Sequence, residues 1–586
     1  MEELIYNILN SPKKKRRVLI YIAAAFLFAV MMIPTKIVLA KMLPGKSANT
    51  FSVYVDTATN SSLEDTERVT SCVLEYFKHE PNVHDMEVYL AQGAPLDYAG
   101  LVKGSDFKRM KNQAEIVVNL TDKHERDEPS YMMVHRIRPE IQALCEPKAT
   151  AATIKFVEMP SGPPTLATIV INIFGRDDVL MRQTAIKVAD ILKETEGLVD
   201  VDVMQDDIYP YYEVIPDTEK VIRSGLSVEQ VNNILYLAFE GMVVAVKNSQ
   251  QQQDQIPIFI RLDEQSRKVC NNSREGLEWK LSRLKLLNPQ GMMIPVIEVV
   301  NINEVPSSPT IFRKDLHNVV TITSECDLVS QVYPLLDARD SMLEKLADDF
   351  NITKVPGMST YMFDLNLVDK KTGEKMLLRW DGEMKVSLDT FRDLGGAFIA
   401  ALILMFLLMV VYYKSFALSG VILLASFLSI IGVIVGHFIT DIISLVATGT
   451  NFFLTATSLI GFISLMGISA RSSLLLIDFT KALIEKGVEK RRAIAISTST
   501  RAKPILMTAV AIILGSLLLS TDPIFGGLGI ALIFGSIAAT AVSLFLVPVL
   551  IDNIEAICPM DSELIPHPHP GEGIKTHVDP EELGLG

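Results

Sequence analysis

The sequence predicts a multi-domain membrane protein, with a six-helix transmembrane bundle and a large extracytoplasmic α+β domain. Three observations predict this fold class. Apolar residues make up 49% of the 586 residues and the mean hydropathy is +0.29, although 21% of the residues are charged. The apolar residues are segregated into one run near the N-terminus and several after about residue 394. Between these runs, strand and amphipathic-helix patterns alternate.

The N-terminal apolar run follows a basic cluster. The five residues Lys13–Arg17 are all Lys or Arg, and the run extends from Val18 to about Ile33. A cleaved signal peptide is one interpretation, with Val38-Leu39-Ala40 as the cleavage site. The length of the run and the strength of the basic anchor favour a retained helix instead. We therefore expect a cytoplasmic N-terminus at 1–17 and a first transmembrane helix at 18–36.

The segment between the apolar runs reads as two successive β-α-β-type units. The predicted strands and helices of the first unit are 51–55, 62–79, 114–118, 131–144 and 152–157. After the Pro-rich turn 160–164, a strand at 167–174, a helix at 179–196 and a strand at 199–203 begin the pattern again. This repetition predicts duplicated split-βαβ sandwiches with helices on one sheet face. Residues 217–326 hold short strands and polar loops, which predicts an inserted subdomain.

Five further apolar stretches, each close to the ~20 residues needed to span a bilayer, follow at about 394–413, 418–438, 455–479, 504–521 and 525–551. The loop between the third and fourth carries seven basic residues from Lys481 to Lys503, whereas the loops near Asp441 and Asp522 carry none. The positive-inside rule places the basic loop and the N-terminus in the cytoplasm. Residues 37–390 then lie outside.

Composition and motifs exclude several classes of function. A net charge of −14 without a basic domain argues against a nucleic-acid partner. No nucleophile motif, P-loop or metal-ligand cluster appears, so neither an enzyme, a cofactor nor a metal site is expected. The five cysteines are scattered without motif spacing, which favours free buried thiols. One disulfide among the first four, Cys72, Cys145, Cys270 and Cys326, remains open.

Two basic residues in the C-terminal helices carry the strongest functional signal. Arg471 is the single basic residue well inside any predicted span, and arginine in hydrocarbon normally faces a cavity or a partner charge. The alternatives are snorkelling towards the edge at Lys481, or pairing with Asp478 seven residues on. The next span opens with Arg501, and Pro504 suits its start. Thr508 lies one turn further on, where a threonine usually bonds its own helix backbone.

These motifs together resemble the resistance–nodulation–division (RND) superfamily, in particular the C-terminal half of a multidrug-type (acriflavin resistance-like) efflux pump subunit. The resemblance rests on the block 461–508, on Trp380 with 391–395, and on Phe545-Leu546-Val547-Pro548. It implies an intramembrane proton relay in which Arg471, Thr508 and Arg501 take part. It also implies two porter subdomains, the first at 37–165 and the second at 166–216 with 327–390. A docking-like insert is expected at 217–326 and a membrane bundle at 391–553.

Two departures from this family matter. Arginine replaces the usual lysine at 471, which keeps the charge but cannot itself shuttle a proton. The chain also lacks a mid-span carboxylate, since Asp393, Asp441, Asp478 and Asp522 fall at edges or in loops. The titrating group of the relay must therefore come from another polypeptide, one that carries the N-terminal half.

The resemblance implies a proton-motive-force-driven antiporter in the bacterial inner membrane, with its large domain in the periplasm. Its substrates would be small hydrophobic or amphiphilic compounds, and its assembly a trimer with a periplasmic adaptor and an outer-membrane channel. A Sec-type protein-export subunit, or a non-transporting scaffold or orphan half, are the alternatives. The acidic, Pro/Gly-rich tail at 554–586 is expected to be disordered.

Overall fold

The computed structural model describes residues 1–159, 162, 165–250, 255–269, 273–355 and 361–554. The predicted disorder of the tail, apart from residue 554, and the thiols of Cys270 and Cys558 lie outside these residues. The chain forms two compact units. One contains residues 1–205 together with the chain from Ile311 onward, and the other is Asp206–Thr310.

Two helices begin the chain, α1 (Glu2–Leu9) and α2 (Pro12–Met31). Pro12 lies in the first turn of α2, where its missing N–H leaves no helical hydrogen bond unmade. Because the basic cluster occupies the start of α2, only Val18–Met31 is apolar, a rise of about 21 Å.

A four-stranded antiparallel sheet forms the first sandwich. Its strands follow the order β2-β3-β1-β4, which is the split β-α-β arrangement, and α3 and α5 pack on one face. Ser62 caps α3 through a reciprocal capping box with Asp65. The elements of this sandwich are β1 (Thr50–Asp56), α3 (Leu63–Phe77), β2 (Val83–Leu90), α4 (Tyr98–Lys103), β3 (Gln113–Leu120), α5 (Ser130–Cys145) and β4 (Thr153–Glu158).

A disulfide joins the two helices of the first sandwich. Cys72 on α3 is bonded to Cys145, the last residue of α5, with Cα atoms 5.6 Å apart. The preference for free thiols is therefore wrong for this pair. The two cysteines are 73 residues apart without a motif, so only the packing of α3 against α5 brings them together. Cys326 is a free, partly buried thiol.

The second sandwich begins with β5 (Ile169–Phe174), α6 (Asp178–Lys193) and β6 (Leu198–Met204). Every residue of β5 is buried, because β5 is a central strand with a neighbour on each side. The chain then leaves this sandwich and enters the second compact unit.

The described part of the second unit contains two small pairs of strands, a separate hairpin and four α-helices. Its core holds Val221, Val231, Leu281, Val296 and Val299, all fully buried. Strands β8 and β9 form a hairpin whose side chains are almost all exposed. The elements are β7 (Pro210–Pro216), α7 (Thr218–Arg223), α8 (Val228–Phe239), β8 (Met242–Lys247), β9 (Ile256–Ile260), α9 (Glu264–Arg267), α10 (Arg274–Arg283), β10 (Lys285–Leu287), β11 (Met293–Pro295) and β12 (Val300–Pro306).

The second sandwich resumes after this insertion. Its sheet has the order β13-β14-β5-β17-β16-β15, and β6 also pairs with β14. The four strands β6, β14, β5 and β17 thus repeat the order of the first sheet, and the second unit is inserted between β6 and β14. The added elements are β13 (Arg313–Lys314), β14 (His317–Cys326), α11 (Val332–Lys345), β15 (Phe350–Lys354), β16 (Leu365–Asp369) and β17 (Lys375–Asp381).

Long apolar helices make up the remainder of the described chain. They are α12 (Glu383–Tyr413), α13 (Phe416–Phe427), α14 (Ile430–Thr448), α15 (Ala456–Glu485), α16 (Lys490–Leu519), α17 (Gly526–Ala541) and α18 (Val547–Asp552), with a π-helical turn at Val542–Leu546. Gly432 and Gly436 lie one turn apart on α14 and face Phe534 of α17. A Cβ at Gly436 would lie 2.5 Å from Phe534 Cβ, so these helices approach closely only because glycine occupies the contact.

Five helices of the described chain are long and apolar enough to cross a membrane: Glu383–Tyr413, Phe416–Thr448, Ala456–Glu485, Lys490–Leu519 and Gly526–Asp552. The N-terminal helix α2 is not among them, because its apolar part is short. The predicted sixth span thus receives no support from the structure. Helix α16 also begins at Lys490, so the expectation that a helix starts at Pro504 is wrong: Pro504 lies inside it.

Ionic contacts join helices α1 and α2 to the start of α16 and the end of α18, at the side of the bundle away from the sheets. Lys15 pairs with Asp552, and Arg491 Nε lies 3.4 Å from the same carboxylate. Arg492 pairs with Glu2 of α1 at 2.7 Å. Ile5 and Leu9, the apolar face of α1, are 1% exposed in the bundle core. Helix α1 is therefore part of the membrane bundle.

Candidate functional site

Arg471 lies in the middle of an uncovered face of α15. Thr455 begins this helix with a capping box that also uses Ser458. Five exposed residues then recur at helical spacing along one side: Ile460, Ser464, Gly467, Arg471 and Leu475. The opposite side of the helix packs into the bundle core. Arg471 is therefore the one charged residue in a stripe that no described part of this chain covers.

No side-chain hydrogen bond or ion pair joins Arg471 to any residue that the structure describes. The alternative partner, Asp478, instead accepts a hydrogen bond from Tyr413 Oη at 2.7 Å. Tyr413 belongs to α12 and is buried, so this contact fixes α12 against α15. The pairing of Arg471 with Asp478 is absent from this structure.

Thr508 and Arg501 lie on α16, on either side of Pro504. Thr508 Oγ1 donates to the Pro504 carbonyl oxygen at 3.0 Å, which is the ordinary helix-backbone contact of a threonine. The guanidinium of Arg501 lies over the ring of Phe479 of α15, 4.8 Å from its centroid. Its Nε is buried and has no hydrogen-bond partner among the described residues.

The structure brings these three residues onto two adjacent helices but does not join them. Arg501 contacts α15 at Phe479, about two turns from Arg471 along that helix. No hydrogen bond or ion pair among the described residues links Arg471, Arg501 and Thr508. Among the described residues, these positions hold cationic and hydroxyl groups, and no carboxylate is bonded to them. Such a set can hold a nearby carboxylate in its ionised form.

A buried histidine on α14 was missed by the sequence analysis. His437 is fully buried, and its Nδ1 lies 2.8 Å from the Val433 carbonyl oxygen. Its Nε2 lies 2.8 Å from Ser458 Oγ of α15. The signal was available, because His437 is the only histidine in the five apolar stretches. Ionisable side chains inside membrane spans are rare and expensive there.

The two sandwiches meet at a charged contact, which we term the subdomain joint. The basic groups come from the first sandwich and the acidic groups from the second: Lys103, His135, Arg138 and Lys155 face Glu325, Asp327, Asp200 and Asp202. The closest contacts are at 2.6–3.3 Å. Asp200, which also accepts from the Phe156 N–H, has a positive φ of 52°. Strained backbone at this place indicates that the surrounding contacts determine its position.

Two carboxyl groups beside the joint have shifted pKa values of opposite sign. Burial would raise the pKa of Asp56, but the ammonium groups of Lys108 and Lys155, at 2.9 and 2.7 Å, hold it well below its usual range. Burial raises the pKa of Glu158 to about 7; Arg138 opposes the shift and Glu325 adds to it. Glu158 is therefore partly protonated near neutral pH.

No group of three or more His, Cys, Asp or Glu side chains that could hold a metal ion occurs among the residues that the structure describes.

Comparison with known proteins gives consistent matches along the chain. The family model of the AcrB/AcrD/AcrF family matches residues 2–353 and 363–554. Over 388 residues the chain is 24% identical to the swarming motility protein SwrC of Bacillus subtilis, covering 64% of this chain and 32% of SwrC. Over 410 residues it is 25% identical to the cobalt-zinc-cadmium resistance protein CzcA of Cupriavidus metallidurans, covering 68% of this chain and 34% of CzcA.

A crystal structure of a heavy metal efflux pump has the same fold. It superposes with a TM-score of 0.66 at 18% identity, and the match covers 94% of this chain and 51% of that chain. The matched segments thus span about a third of the two curated relatives and about half of the crystallised pump.

Proposed function

Because the chain belongs to the AcrB/AcrD/AcrF family of RND efflux transporters, we propose that it is the cationic half of a proton-driven pump. In this proposal Arg471 lies opposite a carboxylate on a second polypeptide that supplies the N-terminal half. Proton binding to that carboxylate removes its negative charge, so the attraction to Arg471 is lost and the helices favour another arrangement. The protein is a transporter and not an enzyme.

The uncovered stripe on α15 is the observation that carries this proposal. An arginine facing lipid in mid-span costs about 2.5–3.5 kcal/mol on insertion scales. Arg471 has no partner charge among the described residues, and the stripe around it consists of small and apolar side chains. Such a face suits close packing against another membrane helix. A carboxylate on that helix would remove the cost of the unpaired charge.

Thr508 and Arg501 have supporting roles in this proposal. The Thr508 hydroxyl already donates to its own helix, and it can turn towards a carboxylate that approaches α16. Arg501, whose guanidinium lies over Phe479, keeps a positive charge between α15 and α16, about two turns along α15 from Arg471. Both act by stabilising the ionised form of the partner carboxylate, Arg501 through its charge and Thr508 through a hydrogen bond.

The proposed architecture keeps the expected subdomains but moves the limits of the insert from 217–326 to Asp206–Thr310, because β14 (His317–Cys326) belongs to the second sandwich. In this proposal residues 37–165 form the first porter subdomain. Residues 166–205 with 311–390 form the second, and Asp206–Thr310 is the docking subdomain. The exposed apolar hairpin of β8 and β9 suits a contact with a periplasmic adaptor or a neighbouring subunit. We place six helices in the membrane, with α2 as the first, in an inner-membrane trimer joined to an outer-membrane channel. The Cys72–Cys145 disulfide suits an oxidising, periplasmic location of the first sandwich.

Small hydrophobic or amphiphilic compounds are the proposed substrates. The alternative is a divalent metal ion, which the names of CzcA and of the crystallised pump suggest. Paired export assays with an amphiphilic dye and with Zn²⁺ or Co²⁺ separate the two. The protein-export alternative is not favoured, because the family matched over most of the chain is one of efflux transporters.

The test of the proposal is proton-coupled efflux by Arg471 variants, reconstituted with the partner half at matched abundance. Arg471→Ala should abolish transport, because the partner carboxylate loses the charge that holds it ionised. Arg471→Lys should keep partial activity, because the charge remains although the fork geometry is lost. Leu475→Ala, one turn along the same stripe, is the matched control and should transport normally.

Near-normal efflux by Arg471→Ala would contradict the proposal and favour snorkelling of Arg471 towards Lys481. Transport by this chain in the absence of any second polypeptide would equally contradict the assignment of a half-pump. Equal loss of activity in Arg471→Ala and Leu475→Ala would show that the stripe serves packing alone.

A further inference from the structure

We propose that His437 is a protonation-sensitive positioning residue, whose proton load sets the contact between α14 and α15 at the sheet-facing end of the bundle. This inference rests on the proposed function only in that α15 also carries Arg471. It assigns a second protonatable group to the membrane region, separate from the partner carboxylate.

His437 is enclosed by three helices. Gly432 and Gly436, on the same helix, let α14 approach Phe534 of α17 on one side of α14. Ser458 of α15 lies on the other side, and the Phe452 ring lies 5.8 Å from the imidazole. The ring is 0% exposed. A charge placed here has no water to solvate it, so it must be hydrogen-bonded or paired.

The hydrogen bonds fix the tautomer of the neutral ring. The Val433 carbonyl oxygen can only accept, so Nδ1 carries the proton and donates to it. Nε2 is then the acceptor of the neutral ring, and the Ser458 hydroxyl donates to it. This is the arrangement of a neutral histidine with both nitrogens satisfied.

Ser458 is the first member of a chain of hydroxyl groups. Ser458 Oγ lies 3.0 Å from Thr455 Oγ1, which lies 2.8 Å from Thr457 Oγ1. Thr457 Oγ1 donates to the Ile524 carbonyl oxygen at 3.1 Å, where the chain ends. If Nε2 gains a proton and donates to Ser458, the Ser458 hydroxyl can turn to donate to Thr455. Every other member keeps its direction, so the network accommodates a second proton on His437 by the rotation of one hydroxyl.

The charged groups around His437 lie towards the sheet-facing end. Asp441 is four residues on, on the same face of α14, and its Oδ1 accepts from the Phe452 N–H at 2.6 Å. Asp522, before α17, caps the Ile524 and Phe525 N–H groups at 2.8 and 2.7 Å. Lys36 and Lys41 follow α2, and the Lys41 ammonium lies 5.4 Å from the centroid of Phe453. On the described parts of α15 and α17, no charged side chain contacts the imidazole.

Protonation therefore changes two contacts at once. It turns Nε2 from an acceptor into a donor towards α15, and it places a positive charge one turn from Asp441. Asp441 in turn accepts the Phe452 N–H, a contact that holds the loop between α14 and α15. Arg471 lies 13 residues beyond Ser458 on α15, about 20 Å along the helix axis. A shift of α15 at its sheet-facing end thus reaches the residue that faces the partner half.

The experiment uses the full chain in nanodiscs without any partner. Cysteines replace Ile443 on α14 and Ile460 on α15, both exposed, and carry spin labels. The disulfide is kept, and Cys270, Cys326 and Cys558 are replaced. We expect the label distance to change between about pH 6 and pH 3, because a charge at this buried site is costly and the ring therefore gains its second proton at a lower pH than an exposed histidine does. His437→Gln should abolish this change. Thr440→Val, whose lost hydroxyl bonds only its own helix, is the matched control and should retain it.

Histidine NMR of the same samples identifies the group. The resonance absent from His437→Gln should titrate with the same midpoint as the distance change. Should His437→Gln fail to fold, Ser458→Ala keeps the ring and should move that midpoint, because the protonated ring loses its acceptor. A His437 resonance that does not titrate, or a distance change that persists in His437→Gln, would overturn the inference. None of these measurements requires transport, so their outcome does not depend on the result of the Arg471 efflux assay.

Discussion

Lys155 is held between carboxylates of both sandwiches, Asp56 at 2.7 Å and Asp202 at 2.6 Å. Lys155→Met should lower the free energy of local unfolding at β1 and β4 by about 2–3 kcal/mol, below the usual cost of breaking a buried pair because Lys108 still pairs with Asp56. Since the pKa of Asp56 is depressed, the stability it contributes is present above its unfolded pKa of about 4 and is lost on acidification. The difference in unfolding free energy between the wild type and Lys155→Met should therefore shrink below about pH 4.

Hydrogen exchange of the full chain in detergent measures this prediction at β1 and β4. Lys193→Met is the control, because Lys193 pairs with Asp190 at an exposed site and should change stability by less than about 0.5 kcal/mol. Equal effects of the two substitutions would mean that the buried contact of Lys155 contributes no more than a surface pair.

Glu158 gives a pH dependence of the opposite sign. Its folded pKa of about 7 lies above its unfolded value of about 4.3. Between these values the folded state keeps a proton that the unfolded chain has lost, so stability falls as pH rises through this window. Glu158→Gln should match the wild type near pH 4 and be more stable at pH 8. Thermal unfolding at both pH values checks this, with the exposed Glu344→Gln as control; a variant less stable at pH 8 would contradict it.

At the scale of elements, the sequence predicts those whose apolar pattern is strong. The expected strand 51–55 and helix 131–144 agree with β1 and α5 to within one residue at each end. Strand β2 was missed, because it is an edge strand in which no side chain is fully buried, and its sequence shows no clean alternation. Pro504 was misread as a helix start, since a proline inside a membrane helix is tolerated where neighbouring groups satisfy the backbone.

The candidate site divides in the same way. Arg471 could be identified from the sequence alone, because a single charged residue within an apolar run is easily recognised. Helical spacing also places the residues of its stripe on one face, but only the structure shows that the rest of the described chain leaves this face uncovered. Ser458 and Thr455 could not be linked to His437 from the sequence, because they lie on another helix and only the packing at Gly432 and Gly436 brings these elements into register.

The packing of α14 on α17 should be sensitive to a single methyl group. Gly436→Ala places a Cβ about 2.5 Å from Phe534, near its helix backbone, so the helices must separate. We expect a loss of about 1–3 kcal/mol in bundle stability, typical of overpacking. Gly420→Ala on α13 has nothing within 4 Å of the new methyl and should leave stability unchanged or slightly raised. Thermal unfolding in detergent compares them, and equal melting temperatures would refute the close contact.

At the scale of the whole molecule, the orientation in the membrane follows from the basic loop between α15 and α16. With the disulfide kept and the other cysteines replaced, Lys486→Cys should resist an impermeant maleimide in intact cells with a permeabilised outer membrane, and Lys123→Cys should react. Labelling of Lys486→Cys alone would indicate the inverted topology. Labelling of both positions would exclude the proposed topology.

The insertion of Asp206–Thr310 between β6 and β14 also bears on how the chain folds. Two neighbouring strands of one sheet are separated by more than a hundred residues, which makes their pairing slow for a flexible chain. The inserted unit brings its own ends together, because β7 pairs with β12 and the Thr310 N–H donates to Asp206 at 2.9 Å. Once it has folded, the effective loop between Met204 and His317 is more than ten-fold shorter, which lowers the entropic cost of closing that loop by about 2 kcal/mol. An insert that folds first thus holds the ends of β6 and β14 close together and speeds the pairing that completes the second sheet.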